Sequence, residues 1–154
     1  MDAQKVGFSR RAFASLLDFL LMSMITLTAL LWAYGRIYFA INEPREWGWL
    51  DPFLNYAFPI LFVLGFWLWR SATPGKMLLD MKIVDAVTGG KPSLFQYVIR
   101  YFAYYLSVIP LGLGLLWVLW DKDKQAWHDK IAKTLVVETD PYAELNHELA
   151  QAFP

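Results

Sequence analysis

The chain has 154 residues, of which 57% are hydrophobic, with 14 acidic and 14 basic residues and no cysteine. Soluble domains are about 45–50% apolar even when glycine is counted, so this composition favours a membrane protein of one domain. Zero net charge gives no indication of a nucleic-acid partner, and the lack of cysteine excludes disulfide scaffolds and thiolate metal sites.

The first long apolar segment covers residues 12–35, and Asp18 is the only charged residue in it. About 20 apolar residues cross the hydrocarbon core of a bilayer, so this segment is long enough to span it. Lys5, Arg10 and Arg11 precede it, as in a signal peptide, but the apolar run is far longer than the ~7–15 residues of a signal sequence. We therefore predict a retained transmembrane helix over 12–35.

The second apolar segment covers residues 52–69 and ends at Arg70. Asp51 and Pro52 are typical of an N-cap followed by the first helical position. The apolar stretch is about 17 residues long, at the short end for a membrane span, and Pro59 is a candidate for a kink. A second transmembrane helix is predicted over 52–69.

Two short segments rich in β-branched residues predict strands. Met81–Val87 precedes Thr-Gly-Gly within a strand and turn region at 76–92, and the second strand is predicted over 133–139. An isolated strand is not stable, so we expect the two strands to pair on one side of the membrane.

The third apolar segment covers residues 94–120 and contains Arg100, Pro110, Gly112 and Gly114. Proline and the two glycines weaken the helix, so a broken helical segment is predicted, either one kinked span or two shorter helices. At about 1.5 Å per residue the segment is too short for two full upright spans.

The predicted fold is an all-α polytopic membrane protein with three to four transmembrane or re-entrant helices and a small cytoplasmic β-strand pair. Lysine and arginine are concentrated before the first apolar segment and after the second and third, which the positive-inside rule places in the cytoplasm. We expect a multi-pass protein of the cell inner membrane with both termini cytoplasmic. Residues 1–138 form the predicted domain, and 140–154 form a short cytoplasmic tail.

The charged residue Asp18 within the first apolar segment indicates a functional or structural site. Arg11, Ser15 and Asp18 share one helix face at spacings i, i+4 and i+7. An ionised aspartate at mid-membrane costs about 2.5–3.5 kcal/mol on insertion scales, so it normally faces a partner charge, protein or water. Arg11 lies about 10 Å along the axis, too far for a direct salt bridge. Arg100 is the better candidate partner for Asp18, with Arg70 or Asp129 completing the cluster.

Three stretches resemble the RDD family of small integral membrane proteins, over roughly residues 7–138: GFSRRAFASLLD, TPGKMLLDMKIVDAVTGGKPS and GLGLLWVLWDKDKQAWHDKIAKTLVV. The resemblance implies that the family's arginine is Arg11 and that its first aspartate is Asp18. Its second aspartate is Asp129 in the Gln125-x-x-x-Asp129 frame, or alternatively Asp121. Lys133 stands where the family commonly has glycine.

Transport has been suggested for this family, with cation/proton antiport for some members. The resemblance therefore implies a transporter of a small solute or ion and, by analogy with those members, a monovalent cation/proton antiporter that uses Arg11, Asp18, Arg100 and Asp129. The alternative is a membrane scaffold or assembly protein in which these charges are structural and Ser15 serves helix packing. Three or four helices rarely enclose a transport pathway. A transporter of this size is therefore expected to be a homo-oligomer, with a dimer as the first expectation.

Other functional classes find little support in the residues. No nucleophile or carboxylate pair is placed for catalysis, so we expect no enzyme and no cofactor. His128 and His147 do not form a metal-ligand cluster, so no metal site is expected. The expected partners are the lipid bilayer, monovalent cations and protons, and a second copy of the chain, with no nucleic acid.

Overall fold

The computed structural model describes residues 4–39 and 48–139. Within them the chain is mostly helical, with one two-stranded antiparallel sheet. The elements in chain order are α1 (Phe8–Tyr34), a 3₁₀ turn (Gly35–Phe39), α2 (Leu50–Pro52), a π-helical turn (Phe53–Ala57), α3 (Phe58–Arg70), α4 (Pro74–Leu78), β1 (Met81–Asp85), α5 (Leu94–Val108), α6 (Leu113–Leu116), a 3₁₀ turn (Trp117–Leu119), α7 (Trp127–Ala132) and β2 (Thr134–Glu138). The predicted tail at 140–154 lies outside the described residues.

Helix α1 is the longer of two helices that are long and apolar enough to cross a membrane. It has 27 residues and begins at Phe8, rather than at residue 12 as predicted. Large apolar side chains such as Phe19, Met24 and Trp32 are exposed along it, Trp32 to 89%. Such a continuous exposed apolar surface is expected where lipid or another apolar partner surrounds the helix.

The second candidate span runs over Leu50–Arg70 as α2, the π-helical turn and α3. Its N-cap position is Trp49, so the predicted N-cap at Asp51 is wrong. Asp51 instead accepts hydrogen bonds from the hydroxyl of Tyr38 and the amide of Asn55. The π-helical turn lies just before Pro59, where a wider turn accommodates a ring that has no N–H to donate.

The predicted break in the third apolar segment is confirmed. Helices α5 and α6 meet at an angle of 110° across the turn that contains Pro110, Leu111 and Gly112. Leu111 and Gly112 both have positive φ, a conformation that glycine adopts without strain. A Cβ on Gly114 would lie 2.6 Å from the Cα of Ser107, so the missing side chain lets α6 fold back closely on α5.

The predicted count of three to four transmembrane or re-entrant helices is not confirmed. Two helices qualify by length and composition, and a third span results only if the bent α5–α6 pair is counted as one. No fourth candidate occurs in the part of the chain that the structure describes.

The predicted strand pair is confirmed. Strands β1 and β2 are antiparallel, from Met81 opposite Glu138 to Asp85 opposite Thr134. The other edge of β2 is covered by the segment before α1, where the Val6 N–H donates to the Val136 carbonyl. The sheet therefore lies at the end of the molecule where α1 begins and α3 finishes.

The core lies where this sheet meets the ends of α1, α3 and α5. Its fully or almost fully buried apolar residues are Val6, Ala14, Trp67, Met81, Ile83, Tyr97 and Val136. Two short helices hold the layers together: α4 packs on α1, and α7 packs on α5. Neither helix is long enough to produce a recognisable hydrophobic period in the sequence.

Candidate functional site

The centre of the candidate site is the carboxylate of Asp129 in α7, which is completely buried. The Arg11 Nη1 of α1 lies 2.5 Å from its Oδ2, and the Arg100 guanidinium of α5 pairs with its Oδ1. The backbone N–H of Ala126 also donates to Oδ2, at 3.0 Å. One carboxylate thereby joins α1, α5 and the first turn of α7.

The charge state of Asp129 follows from its neighbours. Burial alone would raise the pKa of its carboxyl, but the charges of Arg100 and Arg11 and the Ala126 N–H outweigh burial and hold the pKa well below its usual range. Asp129 is therefore ionised, and the buried triad Arg11–Asp129–Arg100 carries two positive charges against one negative charge.

Arg100 is held by more than its ion pair. Its Nη1 lies 2.5 Å from the Thr134 hydroxyl oxygen, and its guanidinium lies 5.5 Å from the ring centre of Trp67 and 5.8 Å from that of Tyr104. The amide of Gln125 donates to the Thr134 carbonyl at 2.9 Å. The Asp129 and Thr134 side chains of one sequence frame therefore both bind Arg100, and Gln125 of the same frame binds the Thr134 backbone.

Asp18 is not a partner of Arg100, and that prediction is wrong. Its Oδ1 accepts the Gly75 N–H at 2.6 Å, and its Oδ2 accepts the Thr73 hydroxyl. Asp18 thus caps the first turn of α4, whose free N–H groups need an acceptor. The charge inside the first apolar segment is satisfied by a helix start that lies 55 residues or more along the chain.

Three other sequence candidates occupy peripheral positions. Arg70 is exposed, 5.3 Å from the ring centre of Trp69, so its predicted place in the cluster is wrong. Asp121 pairs with Lys130 and accepts the Gln125 N–H at 3.0 Å, outside the buried triad. Ser15 is exposed on α1 and borders two cavities that are described below.

Lys76 of α4 is a buried cation that sequence reasoning missed. Lys76 is only 4% exposed, and its Nζ lies 3.4 Å from the Thr73 hydroxyl oxygen. No carboxylate lies within 4.0 Å of it among residues 4–39 and 48–139. A lysine in a short Thr-Pro-Gly-Lys turn normally projects into solvent, so nothing in the local sequence indicates this burial.

His128 stands beside the triad and is neutral. Its ring stacks on Tyr104 with centroids 3.7 Å apart, and its Nδ1 lies 3.2 Å from the Ser107 hydroxyl. Burial is the main cause that lowers the pKa of His128 from 6.5 to about 3; the charge of Asp129 opposes this shift, and the positive charges of Arg100 and Arg11 add to it.

This pKa predicts that acid destabilises the protein. Between pH 6.5 and about 3 the unfolded chain protonates His128 and the folded chain does not, so stability is complete above pH 6.5 and falls as the pH falls. From pH 7 to pH 5 the expected loss is about 2 kcal/mol. Thermal unfolding in one detergent at both pH values measures this loss, which the His128→Asn variant should largely lack. An equal loss in the variant would contradict the assignment.

Two cavities flank Lys76, and both are bordered by Ser15, Lys76 and Tyr104. The Asp18 cavity, of about 330 Å³, has mostly apolar walls, to which Phe19, Met22, Val63 and Trp67 contribute. Its polar side chains come from α1, α5 and the start of α4: Ser15, Asp18, Thr73, Lys76, Tyr101, Tyr104 and Tyr105. The arginine cavity has a volume of about 230 Å³. Its polar wall residues are Arg11, Ser15, Lys76, Arg100, Tyr104 and His128, and its apolar wall residues are Phe8, Ala12, Leu115, Val118, Ala126 and Val136.

A third cleft continues along α1 beyond the Asp18 cavity. This outer cleft has a volume of about 500 Å³ and shares Phe19 and Met22 with the Asp18 cavity. Its polar wall residues are Ser23, Thr26, Tyr38 and Asn55. Within the described residues no group of three or more histidine and acidic side chains could hold a metal ion.

The chain is similar to several proteins from bacteria. It is 41% identical to an uncharacterized protein of Rickettsia prowazekii over 51% of the chain, and 28% identical to a proline-rich antigen homolog of Mycobacterium tuberculosis over 64% of the chain. An uncharacterized protein of Bacillus subtilis is 39% identical over 44% of the chain. The matched parts cover 43% of the length of each of these relatives. No solved structure matches the chain.

The sequence profile of the RDD family matches residues 5–133. This range contains both candidate spans and the whole Arg11–Asp129–Arg100 triad. With its two exposed apolar helices, the chain is a membrane protein that belongs to the RDD family.

Proposed function

We propose that this protein transports a small solute or ion across the membrane, and that monovalent cation/proton exchange at Asp18 is the reaction. The observation that carries the proposal is the succession of two clefts along α1. The Asp18 cavity and the outer cleft share Phe19 and Met22, so polar side chains set in mostly apolar walls follow the membrane helix from Asp18 towards its far end. The proposal includes no enzymatic step.

The chemistry of the Asp18 cavity supports an exchange mechanism. The Thr73 hydroxyl binds the carboxylate, and Tyr101, Tyr104 and Tyr105 of α5 line the same cavity; oxygen ligands suit hard cations. A proton and a metal cation would compete for the same carboxylate, so that binding of one releases the other. Lys76 borders the same cavity and disfavours binding of a second positive charge, which strengthens the competition.

The open sides of both clefts support a symmetric assembly. One chain supplies two or three spans, too few to enclose a pathway, and the exposed apolar side chains of α1 offer a surface to a second copy. The proposed protein is a homodimer in the cell inner membrane, with the sheet and both chain ends on the cytoplasmic side. The lysines and arginines around the sheet agree with that orientation.

The exchange proposal predicts that Asp18→Asn strongly reduces flux. Asparagine keeps an acceptor oxygen for the α4 cap but cannot exchange a proton for a cation, so the folded variant should lose at least tenfold in rate. Purified protein in proteoliposomes with an internal pH dye reports proton movement when Na⁺, K⁺ or Li⁺ is added.

The matched control is Asp121→Asn, which removes a carboxylate outside both clefts and should leave flux unchanged. Equal flux in Asp18→Asn and wild type would contradict the proposed role of Asp18. No flux from folded wild type with any of the three cations would contradict cation/proton exchange.

A second candidate function is a non-transporting membrane scaffold. The Arg11–Asp129–Arg100 triad favours it, because a buried charge set that ties α1 to α5 and α7 is a device for fixing helix register. A scaffold would show no flux of any solute, and Asp18→Asn would change only its stability or assembly.

A further inference from the structure

We propose that the arginine cavity binds an oxyanion of the phosphate type, supplied by a membrane lipid headgroup or by free phosphate. Three buried cationic side chains, those of Arg11, Lys76 and Arg100, border this one cavity. This cavity differs from that of the exchange reaction, although Ser15, Lys76 and Tyr104 border both, and the proposal does not depend on that reaction.

The first argument is an imbalance of buried charge. The cluster contains three cations, and Asp129 is the only completely buried anion among the described residues. Asp18 is only half-buried and reaches Lys76 through the Thr73 hydroxyl, so it compensates one charge in part. His128 is neutral and supplies none. A buried positive charge without a counter-ion is unfavourable, and a bound anion would balance it.

The second argument is a set of donors without acceptors. Arg11 Nη1 binds Asp129 and its Nε donates to the Val6 carbonyl at 3.0 Å, but its buried Nη2 has no partner. The buried Nε of Arg100 also has none. The Lys76 ammonium has three donors and a single long contact to Thr73. Buried donors are almost always satisfied in native structures, and an anion bound in this cavity would supply acceptors for them.

The third argument identifies the chemistry of that ligand. Arginine and lysine together are the usual ligands of phosphate oxygens. The rest of the wall is apolar, with Phe8 and Ala12 from α1 and Leu115 from α6. Phe8, Arg11 and Ala12 lie in the first turns of a candidate span, the depth at which lipid headgroups meet the hydrocarbon core. A phosphodiester with an apolar chain matches both kinds of wall.

The test measures ligand-dependent stabilisation of full-length, delipidated protein in a neutral detergent. Two probes separate the sources: short-chain phosphatidylglycerol and inorganic phosphate, each titrated while the thermal unfolding midpoint is followed. We expect a saturable rise in the midpoint for wild type. A rise with the lipid alone assigns the headgroup, and an equal rise with inorganic phosphate assigns the free anion.

The variants are Lys76→Met and, as control, Lys82→Met, which removes an exposed lysine from β1. Lys76→Met should weaken binding of the effective probe at least tenfold, and Lys82→Met should not change it. Without ligand, Lys76→Met should raise the midpoint, because the uncompensated charge is gone. A lysine that serves only the fold would give a lower midpoint instead.

A steric variant keeps the test independent of charge. Ala12→Leu places a larger side chain at the apolar wall and leaves the cations in place. It should also weaken binding at least tenfold. No midpoint shift in wild type with either probe, or unchanged binding in both Lys76→Met and Ala12→Leu, would overturn the proposal. Because no flux is measured, its failure is distinct from failure of the exchange reaction.

Discussion

Replacing Asp129 with asparagine is expected to lower the free energy of unfolding by about 3–5 kcal/mol. The amide keeps the shape of the side chain but removes the negative charge between Arg11 and Arg100. Both guanidinium groups would then remain buried without a counter-charge. This is costly because the two arginines lose their attraction to the carboxylate, while the free-energy cost of removing them from water remains.

The measurement is the thermal unfolding midpoint of purified protein in one detergent at pH 7. Asp121→Asn serves as the matched control, because Asp121 pairs with the exposed Lys130 and is not part of the triad. Its expected effect is clearly smaller than that of Asp129→Asn, because Lys130 remains in contact with water and no buried charge loses its partner. If both variants shift the midpoint equally, the triad is not the structural centre inferred here.

The second large effect is expected from Gly75→Ala in α4. A Cβ on Gly75 would overlap the backbone oxygen of Ala14 in α1 and lie 3.0 Å from the carboxyl carbon of Asp18. The obstacle is backbone, so α4 must move away from α1, and the Gly75 N–H would lose its bond to Asp18. We expect a loss of about 3 kcal/mol, at the upper end of the range for overpacking.

Gly65→Ala in α3 is the matched control for this prediction. No atom lies within 4 Å of a Cβ built at Gly65, and alanine is the better helix former by roughly 1 kcal/mol. The control should therefore unfold at the same temperature as wild type or higher. A Gly75→Ala midpoint as high as that of Gly65→Ala would show that α4 does not pack against α1 as closely as described.

Local features of the sequence were sufficient to predict the main helices and strands. Apolar length predicted α1 and the Leu50–Arg70 span, and β-branched runs predicted β1 and β2. Pro110 and Gly112 predicted the break between α5 and α6. Each of these signals is local: backbone constraints and the apolar character of neighbouring residues act within a few positions of the chain.

Lys133 illustrates a backbone requirement that the sequence shows only indirectly. It follows α7 as its C-cap with φ of 51°, in the left-handed region. Glycine adopts this conformation without strain, which would account for the glycine that the resemblance to the RDD family implies at this position. The sequence shows that lysine stands here in place of glycine. Only the dihedral angle shows why this position favours glycine.

The sequence by itself determined that this is a helical membrane protein of the RDD family and that Arg11, Asp18, Arg100 and Asp129 are its unusual charges. Only the tertiary structure decided which charges meet. Arg11 binds Asp129, 118 positions away, and Asp18 caps α4 instead of binding Arg100. Lys76 became a candidate ligand residue only once α4 was placed against α1. Coulombic attraction and hydrogen bonding depend on distances of a few ångströms in space, and separation along the chain does not determine those distances.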